Sequence, residues 1–80
     1  MSHTEEQEYL QNLGEKLQKL RKKRGLTQEQ LAESIGTKHS QIGRLERGET
    51  NSTILVLRKI AKELSVPLTE LVDVDGKTNQ

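Results

Sequence analysis

Three glycines, Gly25, Gly36 and Gly48, divide this chain into short pieces, and each closes a stretch whose apolar residues recur at helical spacing. Glycine adopts the left-handed conformation that ends a helix at little steric cost, so segments written this way fold as short helices joined by tight turns. Ahead of Gly25, the residues Leu10, Leu13, Leu17 and Leu20 predict a first helix over about residues 6–24. Its last turn holds Arg21, Lys22, Lys23 and Arg24, where the negative end of the helix dipole favours basic groups. The same leucine spacing could serve a coiled coil, but the pattern is short and stops at a glycine, which favours a helix facing a core.

After Gly25, Thr27 and Gln30 form the signature of a capping box. A second helix over about 28–35 carries Leu31, Ala32 and Ile35 on one stripe, and Gly36 supplies the turn. A third, about 39–47, buries Ile42 and Leu45 and stops at Gly48. Thr53 caps a fourth, about 54–65, with Leu57, Ile60, Ala61 and Leu64 inward. Val66-Pro67 breaks that helix, because proline disfavours a helical residue before it, and Pro67 then opens a short fifth helix through Leu68-Thr69-Glu70-Leu71. No strand pattern and no repeat is present. The expectation is one all-α, compact five-helix domain over 6–74, with a Leu/Ile core, no Phe or Trp, and disordered ends at 1–5 and 75–80. Tyr9, the one aromatic residue, is expected on or beside the core.

Composition removes several function classes. No apolar run reaches the roughly 20 residues a membrane-crossing helix needs, and the acidic, polar N-terminus is not a secretion signal, so a cytoplasmic protein is expected. There is no cysteine, and the two histidines with no carboxylate cluster offer no metal site of credible spacing. Ser40 beside His39 is not a catalytic pair, because adjacent helix residues point apart. No glycine-rich phosphate loop is present. Neither an enzyme nor a cofactor or small-molecule ligand is expected. The net charge of +1 hides an uneven distribution: −3 over residues 1–14, +5 over 15–48 and −1 over 49–80. A basic region of that kind suits nucleic acid, although a solvated basic helix end would look the same on charge alone.

The two helices around Gly36 sharpen the choice. Ile42 and Leu45 anchor the third helix from one side and leave Lys38, His39, Ser40, Gln41 and Arg44 on the other. An α-helix fits the major groove of B-DNA, where Arg pairs bidentately with guanine and Gln with adenine. Helix, glycine turn, helix with a polar outer face is helix-turn-helix geometry, the second helix being the reader. A single-strand site is not expected, because stacking needs more than one tyrosine.

The ordered set LRKKRGLTQEQLAESIG, IGRLERGE, LRKIAKEL and VPLTEL, from about Leu17 to Leu71, resembles the Cro and phage-repressor class of DNA-binding domains, the XRE-like, lambda-repressor-like helix-turn-helix family. The resemblance implies a base-reading role for Lys38, His39, Ser40, Gln41 and Arg44. It implies phosphate contacts at Gln28, through its side chain and backbone amide, and at Arg47 and Asn51; Lys23, with Lys22 and Arg24, adds longer-range attraction. It also implies a partly buried ion pair between Arg21 and Glu46, structural rather than reading. Three departures stand out. Thr37-Lys38 replace the usual apolar residue followed by Ser or Thr, so the third helix lacks its ordinary cap and Thr37 offers one a residue early. Ser52 stands where a proline is common. Leu55 and Val56 stand where relatives are often polar.

These readings together predict a sequence-specific, double-stranded-DNA-binding transcription regulator, acting as a homodimer on a near-palindromic operator whose half-sites lie about one helical turn apart. The expected dimer surface is drawn from Leu55, Val56, Leu68, Leu71, Val72 and Val74. Two other readings stand beside it: an antitoxin-like or adaptor module whose main work is binding another protein, and the isolated reader of a longer regulator. With no ligand domain after the reader, control is expected from concentration, dimerisation or a partner protein.

Overall fold

The computed structural model describes residues 4–74, and over that span five helices follow one another: α1 (Glu5–Lys23), α2 (Gln28–Ile35), α3 (His39–Glu46), α4 (Ile54–Glu63) and α5 (Leu68–Val72). No strand occurs among the described residues, and none of their helices is long and apolar enough to cross a membrane.

The local chemistry explains the boundaries. Thr27 accepts from the Gln30 amide at 3.0 Å while the Gln30 side chain accepts from the Thr27 amide at 2.9 Å, the reciprocal cap expected from the sequence. Thr4 and Gln7 repeat it at the start of α1, at 3.0 and 3.2 Å. The expected disordered stretch 1–5 is therefore corrected at its inner end, where Thr4 caps and Glu5 is already helical; residues 1–3 and the expected tail 75–80 lie outside the described residues. Thr53 caps α4 through the Val56 amide at 3.2 Å.

Four helices close the same way. The amides of Leu26, Thr37, Glu49 and Val66 reach back to the carbonyls of Arg21, Ala32, Arg44 and Ala61 at 2.9–3.1 Å. Each closure needs a residue in the left-handed region. Glycine supplies it at 25, 36 and 48, with φ of 74–77°. At the end of α4 the position is Ser65, with φ of 61°, the one non-glycine residue at positive φ among those described.

The inward stripes converge as their spacing required. Leu13, Leu17, Leu31, Ala32, Ile42, Leu45, Leu57, Ile60, Ala61 and Leu64 form one buried cluster. Helix α2 packs on α3 and α4, while α1 packs on α3 and α5. Tyr9 packs against the cluster, and its hydroxyl donates to the Val72 carbonyl at 2.5 Å, tying α1 to α5.

Leu71 and Val74, expected on the dimer surface, belong to this core at 0% and 7% exposure. The five-residue α5 lies between α1 and α4, and its inner side is spent there. Val56, Leu68 and Val72 are half-buried against the same cluster. Leu55 alone of the six is fully outside, at 67% exposure, beside Ile54 at 60%.

Two glycines have a packing role that their sequence neighbours do not announce. A Cβ on Gly14 would stand 2.3 Å from the Glu46 carbonyl oxygen and 2.6 Å from that of Leu45, so α1 crosses the end of α3 backbone to backbone. Gly48 combines its positive φ with a similar approach to Gln11, whose Cα would lie 2.9 Å from an added Cβ.

Candidate nucleic-acid interface

Helix α3 is held from beneath by Ile42 and Leu45, at 1% and 3% exposure. Lys38, His39, Ser40, Gln41 and Arg44 are all exposed. Gly36, Thr37, Lys38, Ser40, Gln41 and Arg44 line one shallow open concavity, so four of the five expected reading residues share a surface with the turn between α2 and α3. Lys38 and Arg44 make that surface cationic, and Ser40 and Gln41 add neutral donors and acceptors. The backbone cap of α3 is Lys38, with no side-chain hydrogen bond. Thr37 does not advance the helix start, which falls at His39 as the apolar spacing implied.

The Arg21–Glu46 pair is present and is the best-buried polar feature of the described residues. Arg21 Nε donates to Glu46 Oε2 at 2.5 Å and Arg21 Nη2 to Oε1 at 3.0 Å, a bidentate pair whose side chains are 9% and 1% exposed. Arg21 Nη1 donates to the Leu26 carbonyl at 2.8 Å, which also fixes the turn after α1. Removing either partner would strand a buried charge, at about 3–5 kcal/mol.

Glu46 serves more than Arg21. Its Oε1 also accepts from Gln28 Nε2 at 2.9 Å and, at 3.4 Å, from Gln18 Nε2. The side chain of Gln28, half-buried at the start of α2, is thus turned inward in the free protein, with its Oε1 3.2 Å from His39 Nε2. Gly43 makes room for this arrangement: an added Cβ there would stand 3.3 Å from Gln28 Oε1 and 3.2 Å from Arg47 Nη1.

The remaining phosphate candidates are spread more widely. Lys23 is exposed in the last turn of α1. Arg47 is exposed, but its guanidinium donates to Glu49 through Nε at 3.0 Å and Nη2 at 3.3 Å. That hydrogen-bonded pairing holds the Glu49 carboxyl below the usual carboxylate range and raises Arg47. Asn51 does not join the α3 surface. Its Oδ1 accepts from the Ser52 amide at 2.9 Å, and it lines a separate concavity with Glu5, Glu6 and Glu8, an acidic setting for a residue expected to meet phosphate. Gly43, Gln18 and Glu49 were not singled out from the sequence. Only Glu49, two residues beyond a cation in a polar loop, carried a local signal.

Comparison with known proteins places these features in a family. The helix-turn-helix family model matches residues 17–71. An uncharacterized HTH-type transcriptional regulator of Sinorhizobium fredii, y4dJ, is 35% identical over 66 residues, covering 82% of this chain and 86% of its own. The crystal structure of the restriction-modification controller protein C.AhdI from Aeromonas hydrophila superposes with a TM-score of 0.75 at 37% identity, over 78% of this chain and 94% of that one. PlcR of Bacillus thuringiensis, solved in complex with the peptide PapR7 and DNA, superposes with a TM-score of 0.77 at 33% identity, over 86% of this chain and 24% of PlcR.

Proposed function

This chain belongs to the helix-turn-helix family, and from that membership we propose that it is a DNA-binding transcription regulator that works as a homodimer on a near-palindromic operator. Relatives described as a transcriptional regulator and as a restriction-modification controller support the regulatory role, and the PlcR complex supports DNA as partner. The observation that carries the reading is the outer surface of α3. Lys38, Ser40, Gln41 and Arg44 line one open concavity on a helix whose other side is locked into the core. A rigid, uncovered helix with such groups suits a major groove.

In this reading Arg44 and Gln41 meet base edges, Lys38, His39 and Ser40 meet bases or flanking phosphates, and Lys23 and Arg47 contribute cationic attraction. Gln28 offers its backbone amide at the start of α2, where unpaired amides and the helix dipole favour an anion. One such domain reads only a few base pairs, and two related by a two-fold read half-sites about 34 Å apart. The neighbouring Ile54 and Leu55 side chains, exposed at the start of α4, supply the apolar centre of the contact between copies.

Selection from a random duplex pool at moderate salt tests the reading. A palindromic motif is expected, with Arg44→Ala losing about 1–3 kcal/mol and relaxing one base position. Arg44→Ala weakening chosen and random DNA alike would remove its reading role. Recovery of only salt-sensitive, sequence-blind binding would favour the protein-interaction alternative.

A further inference from the structure

We propose that the buried Arg21–Glu46 pair fixes which nitrogen of the His39 ring carries a proton, acting through the Gln28 amide, and so sets the hydrogen-bonding character of the first residue of α3. The proposal rests on the DNA-reading function above for its consequence, but its structural half stands on the free protein.

The polarity of the chain is forced link by link. Paired with the Arg21 guanidinium at 2.5 and 3.0 Å, the Glu46 carboxylate can only accept. The Gln28 group 2.9 Å from Glu46 Oε1 must therefore be the NH2, since the opposite amide orientation would set two acceptors face to face. The Gln28 oxygen is then left toward His39 Nε2, 3.2 Å away. An amide oxygen accepts only, so Nε2 must be the N–H of the ring. Neutral His39 is left with Nδ1 as a bare acceptor.

An acceptor at the start of a reading helix complements an amino group, the adenine N6 or cytosine N4 of a major-groove edge. It does not complement guanine N7 or O6. Gln28 and Glu46 are thus positioning residues for base choice, although neither touches DNA in this role. Gly43 keeps the arrangement open, because an added Cβ there would meet Gln28 Oε1 at 3.3 Å.

Nitrogen-15 spectra of the His39 ring in the intact protein, without DNA and at about pH 8, above the ordinary histidine range, test the structural half. In the native chain a single Nε2–H form is expected, its proton visible because exchange with water is slowed. In Gln28→Ala, which leaves the ion pair intact, that proton signal is expected to vanish into exchange and the ring to relax to the tautomer mixture of an exposed histidine. Identical ring spectra in the two proteins, or an Nδ1–H form in the native chain, would overturn the proposal. The double variant Arg21→Met with Glu46→Met removes both charges and the acceptor that faces Gln28 Nε2, and when folded it is expected to give the Gln28→Ala spectrum. Retention of the native ring state there would remove the ion pair from the chain of causes.

Duplex selection supplies the functional half. Gln28→Ala and His39→Ala are expected to lose, by roughly five- to a hundredfold, the preference for an amino-bearing base at one shared position, with the Arg44 position unaffected. An unchanged preference in Gln28→Ala would sink the specificity claim. Failure of every variant and of the native chain to select a motif would sink the DNA-reading function instead, with the ring spectra still deciding the tautomer.

Discussion

Substituting alanine at Gly14 is expected to destabilise this domain strongly, although the same change usually strengthens a helix. In an exposed helix interior, Gly→Ala gains up to about 1 kcal/mol, from propensity and a less free unfolded chain. At Gly14 the new methyl would meet the carbonyl oxygens of Glu46 and Leu45 at 2.3 and 2.6 Å and the Glu46 carbonyl carbon at 2.7 Å. These are backbone atoms and cannot swing aside. Restoring an ordinary 3.4 Å contact to the nearest of them requires α1 and the end of α3 to part by about 1.1 Å. Overpacking of this kind costs about 1–3 kcal/mol. The displaced residue is Glu46 itself, so part of the roughly 3–5 kcal/mol held in its buried pair is also at risk. After subtracting the propensity gain, a net loss of about 2–4 kcal/mol is expected, lowering Tm by roughly 10–25 °C in a domain of this size. Gly43→Ala is the internal control. Its Cβ would meet only the ends of two flexible side chains, at 3.2 and 3.3 Å, so it should fall within about 1 kcal/mol of the native chain. Urea and thermal melts of the two variants check the pair. A Gly14→Ala protein as stable as the native one would refute the close crossing of α1 and α3.

Three other outcomes are expected. Ser65→Gly, which relieves a side chain held at φ of 61°, should raise stability by about 0.5–1 kcal/mol in the same melts, and a loss would mean the left-handed closure of α4 is wrong. Glu49→Gln should release the Arg47 guanidinium and tighten DNA binding by about two- to fivefold in a titration at moderate salt. Because Glu49 is held below the usual carboxylate range by Arg47, acid opens the native latch only beneath that range, so lowering the pH from 7 to 5.5 should not reproduce the variant's gain. Leu55→Glu, at a site 67% exposed, should leave folding stability within about 0.5 kcal/mol while shifting the proposed dimer toward monomer in sedimentation, and a dimer unaltered by the change would move the interface elsewhere.

Residues that repeat within one helix, such as Leu57, Ile60, Ala61 and Leu64, declare their face through spacing, and all four are buried. Caps are equally local, and Thr4-Glu5-Glu6-Gln7 carries the same signal as Thr27-Gln28-Glu29-Gln30, so the start of α1 at Glu5 is legible in the sequence. What depends on a partner distant in sequence was not legible. Gly14 matters only because α3 crosses it, and Gln28 turns inward only because Glu46 lies 18 positions away. Leu71 could not be told from Leu55 because a five-residue helix has too few turns to define a face, and Val74 lies beyond the end of that helix, where no periodicity applies. The Arg21–Glu46 pair came from family resemblance, not from the spacing of the two residues.

The brevity of α2 and α3, eight residues each, has a consequence for how such a protein can be controlled. Segments that short are mostly coil when cut free in water, since nucleating a helix costs more than two turns return. The exposed α3 surface proposed to enter the groove therefore exists only as long as Leu17, Ile42, Ile60 and their neighbours hold one another. Heat, a proteolytic nick, or a ligand that loosens that assembly abolishes recognition outright rather than weakening it by degrees, and a duplex that fits the surface protects the whole domain against unfolding.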